Sequence, residues 1–267
     1  MSPRRRWVLF ALVLTAGVLN LVDRQIIAVL KPQISADLGW DDNDYGTLAA
    51  YFQGAAAFAF LFTGWIVDRL GVKWANPIGV VAWSIAAMAH GWARTMAQFI
   101  ICRIALGATE AMGTPAAIKT IAAIFPPATR STGYGISNAT GSVGAILTPL
   151  LIPLVGALWG WRSAFIIAGL LGVVWALAWF ATTRGVDFGD QAKPTPLAAA
   201  APTGTILKER RTWAIAIAKV LSDATWWFLL FWMPDFFNRN FGLSGLELGP
   251  PLAVAEAGGA IGSLFSG

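Results

Sequence analysis

Charged side chains interrupt apolar stretches of the sequence at helical spacings. Asn20, Asp23 and Arg24 are spaced i, i+3, i+4 and therefore share one face of a helix. Arg103 and Glu110 are seven residues apart, about two helical turns, and also share a face. An arginine fork binds a carboxylate through two parallel hydrogen bonds, and a carboxyl group desolvated in a cavity can exchange protons near neutral pH. The set predicts a site that binds an organic anion and carries a proton; the structural alternative is a set of ion pairs that hold helices together.

The elements that must position these residues are helices that cross a membrane. Of the 267 residues, 57% are hydrophobic and 12% are charged, whereas a soluble domain is about 45–50% apolar and 25% charged. This composition excludes an ordinary soluble globule and a disordered chain. Eight apolar segments, each near the ~20 residues that cross a bilayer, cover about 7–30, 45–67, 74–93, 98–117, 132–154, 163–182, 213–233 and 247 onwards. The sequence therefore predicts an all-α, polytopic membrane protein.

Basic residues outside the spans predict the orientation. With the N-terminus in the cytoplasm, the cytoplasmic side holds Arg4, Arg5, Arg6, Arg69, Lys73, Lys119, Arg130, Arg184, Lys193, Lys208, Arg210 and Arg211. The other side holds only Lys31, Arg94, Arg162 and Arg239, so the positive-inside rule favours this orientation. The net charge of +5 is thus a signal of topology, and the scattered basic residues do not form a nucleic-acid-binding stripe.

A polar segment divides the spans into two sets. Residues 1–183 hold six spans, residues 184–212 predict a cytoplasmic linker, and residues 213–267 hold the next two spans. Six spans, a long inner loop and further spans are typical of a protein built from two six-helix halves. The eighth span is still apolar at Gly267. We therefore expect the chain to end within its eighth helix, and we expect it not to transport by itself.

Polar residues in other spans are candidates for a cavity wall. Tyr51 and Gln53 lie in the second span and Asn138 lies in the fifth, where their side chains could hydrogen-bond the hydroxyl groups of a sugar acid. Each could equally bond a neighbouring helix. The sequence leaves both interpretations open.

The seventh and eighth spans add further candidates. Asp223 is followed by Trp226 and Trp227, whose rings could stack on a sugar, although tryptophan is more often an interfacial or packing residue. Lys219 precedes Asp223 by four residues and could simply neutralise it. Glu256 in the eighth span has no assigned partner.

The sequence offers little for enzyme or metal chemistry. A single histidine, His90, and a single cysteine, Cys102, provide neither a nucleophile–base set nor a metal site, so we expect no enzyme, metal or cofactor. We expect His90 to lie at the surface near the end of the third span. The acidic segment Asp41-Asp42-Asn43-Asp44 is interpreted as a solvated loop that caps the second span.

A compact loop joins the second and third spans. It reads Gly64-x3-Asp68-Arg69-x-Gly71-x-Lys73, and its glycines permit a tight turn and close helix approach. The alternative is an ordinary positive-inside loop. This loop resembles the signature that members of the major facilitator superfamily carry between helices two and three, and the resemblance implies that its residues form a conformational gate. The resemblance covers essentially the whole chain.

Two narrower resemblances lie within that superfamily. The motifs Asn20-Leu-Val-Asp23-Arg24 and Arg103-x6-Glu110 resemble those of the anion:cation symporter family, which includes importers of sugar acids. Residues 219–234 and the motif Trp161-Arg162-x-x-Phe165 are similar to helix seven and the start of helix six in bacterial hexuronate transporters.

The family resemblance implies a role for each charged residue. Asp23 and Glu110 would be the proton-coupling carboxylates. Arg24 would bind the substrate carboxylate, and Arg103 would be a charge partner in the same cavity. Asp68 would help to lock the outward-facing state against helix eleven.

The resemblance also implies a fold and a function. The fold would be a six-helix N-terminal bundle followed by the first two helices of a C-terminal bundle. The protein would be a monomeric secondary transporter of the bacterial inner membrane that imports a small organic anion, such as a hexuronate, together with a proton. The alternative is a truncated, non-transporting fragment or a membrane sensor of the same fold.

Overall fold

The computed structural model describes residues 2–186, 188 and 207–265, and these residues form helices joined by short turns. The helices are α1 (Pro3–Val29), α2 (Lys31–Leu38), α3 (Asp42–Leu70), α4 (Val72–His90), α5 (Met96–Glu110), α6 (Gly113–Ile124), α7 (Arg130–Trp159), α8 (Trp161–Thr183), α9 (Arg210–Phe241) and α10 (Gly249–Phe265). Short 3-10 segments, Pro127–Thr129 and Gly245–Leu248, precede α7 and α10. Each predicted span coincides with helix, so the prediction of an all-α fold is confirmed.

Five of the described helices are long and apolar enough to cross a membrane, namely α1, α3, α7 with its preceding 3-10 turn, α8 and α9. The predicted fourth span is divided between α5 and α6, of 15 and 12 residues, by a turn at Ala111 and Met112. This break falls directly after Glu110, one of the candidate site residues. Discontinuous helices of this kind are common where transporters bind their substrates.

Capping boxes fix the starts of α3 and α5. The side chain of Asp41 accepts a hydrogen bond from the backbone N–H of Asp44, whose side chain accepts one from the N–H of Asp41. Thr95 and Gln98 form the same reciprocal pair at α5. The prediction that the acidic segment caps the second span is confirmed.

Glycines allow the helices of the bundle to cross closely. α3 packs on α5, and a Cβ added at Gly107 would lie 2.4 Å from the carbonyl oxygen of Phe52. α4 packs on α8, and a Cβ at Gly172 would lie 1.9 Å from the hydroxyl oxygen of Ser84. Small residues at helix crossings are the usual means of tight packing in membranes. The first contact matters most here, because it sets the distance between the helices that carry Phe52 and Arg103.

His90 lies in the interior, so the prediction of a surface position is wrong. The residue is 0% exposed at the end of α4, and its ring stacks on Phe165 of α8 at 5.0 Å between centroids. Its Nδ1 lies 2.8 Å from the carbonyl oxygen of Ala86. Aromatic residues of α8 cover this end of α4, which span length alone does not reveal.

The second set of helices, α9 and α10, packs against the first set. α9 is buried only at Leu230, Phe231, Pro234 and Asp235, where it contacts α1 and α2, whereas nearly all of its first half is exposed. We call the end of the bundle that holds residues 30–42 the first-loop end, and the opposite end, which holds Pro3, the N-terminal end. α10 packs along α7. The two sets of helices are therefore in contact at the first-loop end.

The predicted linker is described only in part. Residues 187 and 189–206, which include Lys193, lie outside the described residues. The helix after it begins at Arg210, three residues before the predicted boundary at residue 213.

Candidate functional site

The two charged motifs meet in the middle of the bundle. Arg24 of α1 donates a hydrogen bond from Nε to Oε2 of Glu110 of α5 at 2.7 Å. The arginine side chain is 10% exposed and the glutamate side chain is 0% exposed. The pair joins residues that are 86 positions apart in the sequence. A buried ion pair of this kind is strengthened by the low dielectric around it, but its two charges are costly to desolvate.

One phenylalanine ring contacts both arginines of the site. The guanidinium carbon of Arg24 is 5.6 Å from the ring centroid of Phe52, and that of Arg103 is 5.5 Å from the same centroid. Phe52 is fully buried on α3. Both distances are typical of cation–π contacts, so one ring stabilises two cations. Sequence reasoning missed Phe52, because a phenylalanine in an apolar helix carries no signal of its own.

Two further charged side chains of the site form no ion pair with another described residue. Arg103 is 1% exposed, and its Nε and Nη2 have no hydrogen-bond partner among the described residues. Asp23 is 2% exposed, and its Oδ1 likewise has no partner within the described part of the chain. Buried polar atoms are normally hydrogen-bonded, so unpaired ones in a native fold point to a ligand, an ion or water as their partner.

Trp227 of α9 covers the site from the second set of helices. Its ring lies 5.1 Å from the guanidinium carbon of Arg24 and stacks on Phe231 at 5.9 Å between centroids. Phe231 in turn contacts Phe52 at 6.3 Å. Trp226 is 39% exposed and lies near α10, where a Cβ added at Gly259 would be 3.5 Å from its ring. Of the two candidate tryptophans, Trp227 is the one that contacts an arginine of the site.

Asn20 and Asn138 line a common cavity of about 420 Å³ between α1, α4, α6 and α7. Tyr51 is 47% exposed and lies in a separate depression with residues such as Phe58 and Ile104. Gln53 is half-buried on α3. The structure thus brings the two asparagines together and places Tyr51 elsewhere.

Asp223 pairs within its own helix. Its carboxylate oxygen Oδ2 lies 3.0 Å from Nζ of Lys219, one turn earlier on α9, and both side chains are substantially exposed. This is the arrangement expected if the two residues neutralise each other. Glu256 of α10 is 8% exposed, and its Oε2 has no hydrogen-bond partner among the residues that are described.

The candidate gate residues surround the junction of α3 and α4; they are Gly64, Asp68, Arg69, Gly71 and Lys73. Asp68 accepts a hydrogen bond from Nζ of Lys119 at 2.7 Å, which joins α3 to α6. Gly71 has φ 69°, a value that favours glycine, and it ends α3 directly before α4 begins. The loop is therefore fixed at the N-terminal end of the bundle by an ion pair and a glycine turn.

The first-loop end carries a four-residue ionic cluster formed by Lys31, Asp42, Asp235 and Arg239. Nζ of Lys31 lies 2.8 Å from Oδ1 of Asp42 and 2.6 Å from Oδ1 of Asp235. Nε of Arg239 lies 2.8 Å from Oδ2 of Asp235, and Arg239 also pairs with Asp42. The cluster ties α2 and α3 to α9. It was not predicted, because Asp235 lies beyond the predicted end of the seventh span.

Aromatic contacts surround the same cluster. Nζ of Lys31 lies 5.0 Å from the ring centroid of Tyr45 and 4.9 Å from that of Trp232. The hydroxyl of Tyr45 donates a hydrogen bond to the carbonyl oxygen of Phe231 at 2.8 Å. Lys31 is 4% exposed, so its ammonium group is enclosed by carboxylates and rings. The ionic cluster and these aromatic contacts therefore hold the two sets of helices together at this end.

Comparison with known proteins assigns nearly the whole chain to one family. A sequence model described as Major Facilitator Superfamily matches residues 13–267. The chain is 28% identical over 276 residues to the hexuronate transporter of Escherichia coli strain K12, covering 96% of this chain and 64% of that protein. It is 26% identical over 276 residues to the galacturonate transporter of Dickeya chrysanthemi, covering 96% of this chain and 80% of that protein.

Solved structures match the same architecture. A bacterial homologue of the human lysosomal transporter Spinster, in an inward-facing and unoccupied conformation, superposes with a TM-score of 0.84 at 23% identity. That match covers 99% of this chain and 62% of the other chain. At this level of identity the likeness establishes a shared fold. The chain spans 64% of the hexuronate transporter's length, a little under two thirds.

Proposed function

The chain belongs to the major facilitator superfamily, and from that premise we propose that the intact protein is a secondary transporter that imports an organic anion, such as a hexuronate, together with a proton. It is a multi-pass membrane protein, and its curated relatives are transporters of hexuronate and galacturonate. The observation that carries the proposal is the buried cluster on α1 and α5. It combines the Arg24–Glu110 pair with Arg103 and Asp23, each of which has buried side-chain atoms without a hydrogen-bond partner among the described residues.

Arg24 is the proposed ligand of the substrate carboxylate. Its planar guanidinium matches a carboxylate with two parallel hydrogen bonds. In the present arrangement one nitrogen is already hydrogen-bonded to Glu110, and the rings of Phe52 and Trp227 are both in cation–π contact with the guanidinium group. Substrate binding then requires the hydrogen bond between Arg24 and Glu110 to weaken or break. Arg103 is buried beside the same phenylalanine, and its positive charge attracts an anion to the site.

Asp23 and Glu110 are the proposed proton carriers. Desolvation disfavours the charged form of a carboxyl group, whereas a nearby guanidinium favours it. Glu110 therefore has two accessible states, ionised and bound to Arg24, or protonated with Arg24 released. We propose that protonation of Glu110 frees Arg24 for the substrate, which couples the movement of the proton to that of the anion. The unpaired Asp23, adjacent to Arg24 in the chain, is the second group that can take up a proton.

The proposed transport cycle uses two halves. Residues 1–183 form the first six-helix unit, 184–212 the cytoplasmic linker, and 213–267 the beginning of the second unit. With the N-terminal end in the cytoplasm, the ionic cluster at the first-loop end joins the two sets of helices on the outer side. We propose that this contact belongs to an inward-facing state, in which Asp68 is paired with Lys119. Alternation between such states around a central site is the usual mechanism of this architecture.

Uptake into proteoliposomes tests the proposal. The intact protein is reconstituted, and uptake of labelled D-glucuronate is measured with and without an inward proton gradient. We expect the gradient to drive accumulation, and we expect Arg24→Ala to reduce uptake about tenfold or more, the effect of losing a charged hydrogen-bond partner. Arg94→Ala, in the exposed loop after α4, is the matched control. Uptake that is independent of pH, or unchanged in Arg24→Ala, contradicts the proposal; stabilisation by D-glucuronate without uptake favours a sensor.

A further inference from the structure

The cavity lined by Asn20 and Asn138 lies between α1, α4, α6 and α7. It has a volume of about 420 Å³ and reaches the face of α4 that carries Trp83. Its walls come from four helices, and residues of α6 directly after the break in the fourth span form one of them. Such a volume is ample for part of a small solute.

Two buried hydrogen-bond donors in this cavity have no partner. Nδ2 of Asn20 and Nε1 of Trp83 are enclosed, and neither is hydrogen-bonded to any described residue. Trp83 is 2% exposed. A tryptophan N–H or an amide N–H removed from water normally finds an acceptor. Two such donors lining one cavity indicate that an acceptor from outside the described chain fits there.

Gly113 leaves open the space between these two side chains. A Cβ added at this position would lie 3.7 Å from Nδ2 of Asn20 and 3.6 Å from the ring of Trp83. Both distances are ordinary van der Waals contacts, so an alanine fits without a clash. Its methyl group would lie in the cavity beside Nδ2 of Asn20 and the carbon edge of the Trp83 ring. Gly113→Ala therefore fills part of the cavity without disturbing its walls.

The cavity lining is mostly apolar, and the polar groups in it are uncharged. Its hydroxyl and amide groups come from Asn20, Asn76, Thr114, Tyr134, Ser137 and Asn138, and no acidic or basic residue is among the described residues that line it. Asn76 is already satisfied by bonds from its Nδ2 to the carbonyl oxygen of Val72 and to Thr120. The lining suits hydroxyl groups better than a second charged group, which would need a counter-ion when desolvated.

The cavity begins one helical turn from the proposed carboxylate ligand. Asn20 and Arg24 are four residues apart on α1, a rise of about 6 Å, which is comparable to the length of a short polyhydroxylated carbon chain. We propose that this cavity is the subsite for the hydroxyl-bearing part of the organic anion, with Asn20 and Trp83 donating hydrogen bonds to its hydroxyl oxygens. The inference rests on the proposed function, because it assumes that Arg24 holds the carboxylate.

The test compares a hydroxylated acid with an acid that lacks hydroxyl groups. Thermal stabilisation of the purified intact protein by D-glucuronate and by propionate gives an apparent affinity for each, because a ligand stabilises the folded state by mass action. Trp83→Phe removes the N–H and keeps an aromatic ring, and Gly113→Ala fills part of the cavity beside Nδ2 of Asn20. Trp74→Phe on the exposed face of α4 and Gly54→Ala, which has open space around it, are the matched controls.

We expect both test variants to weaken D-glucuronate binding about three- to tenfold, the usual effect of losing one uncharged hydrogen bond, and to leave propionate binding unchanged. The controls should change neither. If Trp83→Phe and Gly113→Ala leave D-glucuronate binding intact, or weaken both acids equally, the subsite is refuted while the proposed function stands. If neither acid stabilises the unmodified protein, the proposed function fails and the subsite with it. Should Trp83→Phe not fold, Gly113→Ala alone decides the outcome.

Discussion

Lys31 and Asp235 form a buried ion pair, 2.6 Å from Nζ to Oδ1, that joins the start of α2 to the end of the first helix of the second set. The lysine side chain is 4% exposed and the aspartate side chain is 12% exposed. In the sequence, helices α3 to α8 lie between the two residues. The pair is therefore a contact between the two sets of helices rather than within one of them.

Breaking this pair should destabilise the protein in its present conformation. Asp235→Asn leaves the ammonium group of Lys31 with one carboxylate instead of two, and removal of a partner from a buried pair costs about 3 kcal/mol. The midpoint of thermal unfolding in detergent should fall clearly. Asp37→Asn, which disrupts the exposed pair of Asp37 and Arg162, should lower the midpoint much less, because exposed ion pairs contribute little to stability. Equal effects of the two variants would argue against the buried pair as the main contact.

Asp37 should make stability depend on pH in the acidic range. Hydrogen bonds from Arg162 and Trp161 lower the pKa of its carboxyl group below the ordinary value. A carboxyl whose pKa is lower in the folded state stabilises the fold above its unfolded pKa, and this contribution is lost as the pH falls through the folded value. The unfolding midpoints of the native protein and Asp37→Asn should therefore differ at neutral pH and converge in acid. A difference that persists or grows in acid would contradict the assignment.

Much of the site could be predicted from the sequence because its signals are local. The spacing of Asn20, Asp23 and Arg24 fixes a shared face through helical periodicity alone. The same holds for Arg103 and Glu110. The structure adds that the two faces meet, with Arg24 bound to Glu110. The approximate positions of the spans could also be predicted, because hydropathy is a local signal as well.

Other features could not be predicted for physical reasons. A membrane helix is apolar around its whole circumference, so periodicity does not tell which face of α3 meets a cavity, and Tyr51 was grouped with Asn138 although the two lie in different depressions. A span predicted from hydropathy ends where polar residues begin, whereas α9 continues to Phe241. The ionic cluster around Asp235 was missed for that reason.

Trp227 should support substrate binding through its contact with Arg24. The ring lies 5.1 Å from the guanidinium carbon, and a desolvated cation–π contact contributes about 1–2 kcal/mol. Trp227→Ala should raise the KM for D-glucuronate roughly five- to thirtyfold by the same estimate, because the guanidinium is no longer held in place. Trp227→Phe should restore part of the affinity, since it returns an aromatic face.

Trp226→Ala is the matched control for this prediction. The ring of Trp226 lies towards α10, so its removal should change the KM little. If Trp226→Ala raises the KM for D-glucuronate more than Trp227→Ala does, the prediction that Trp227 supports binding through Arg24 is wrong.

Glu110→Gln should separate substrate binding from proton coupling. The amide is similar in size to the carboxyl group but cannot take up or release a proton, and it no longer neutralises Arg24. Arg24 is then permanently available, so D-glucuronate should still bind, while uptake should lose its dependence on the inward proton gradient. Stabilisation of the purified protein by D-glucuronate measures the first effect, and gradient-driven uptake into proteoliposomes measures the second. Glu209→Gln, on the residue before α9, should leave both unchanged. Retained gradient-driven accumulation in Glu110→Gln would assign the coupling to another carboxyl group, and the same pair of measurements on Asp23→Asn would then identify it.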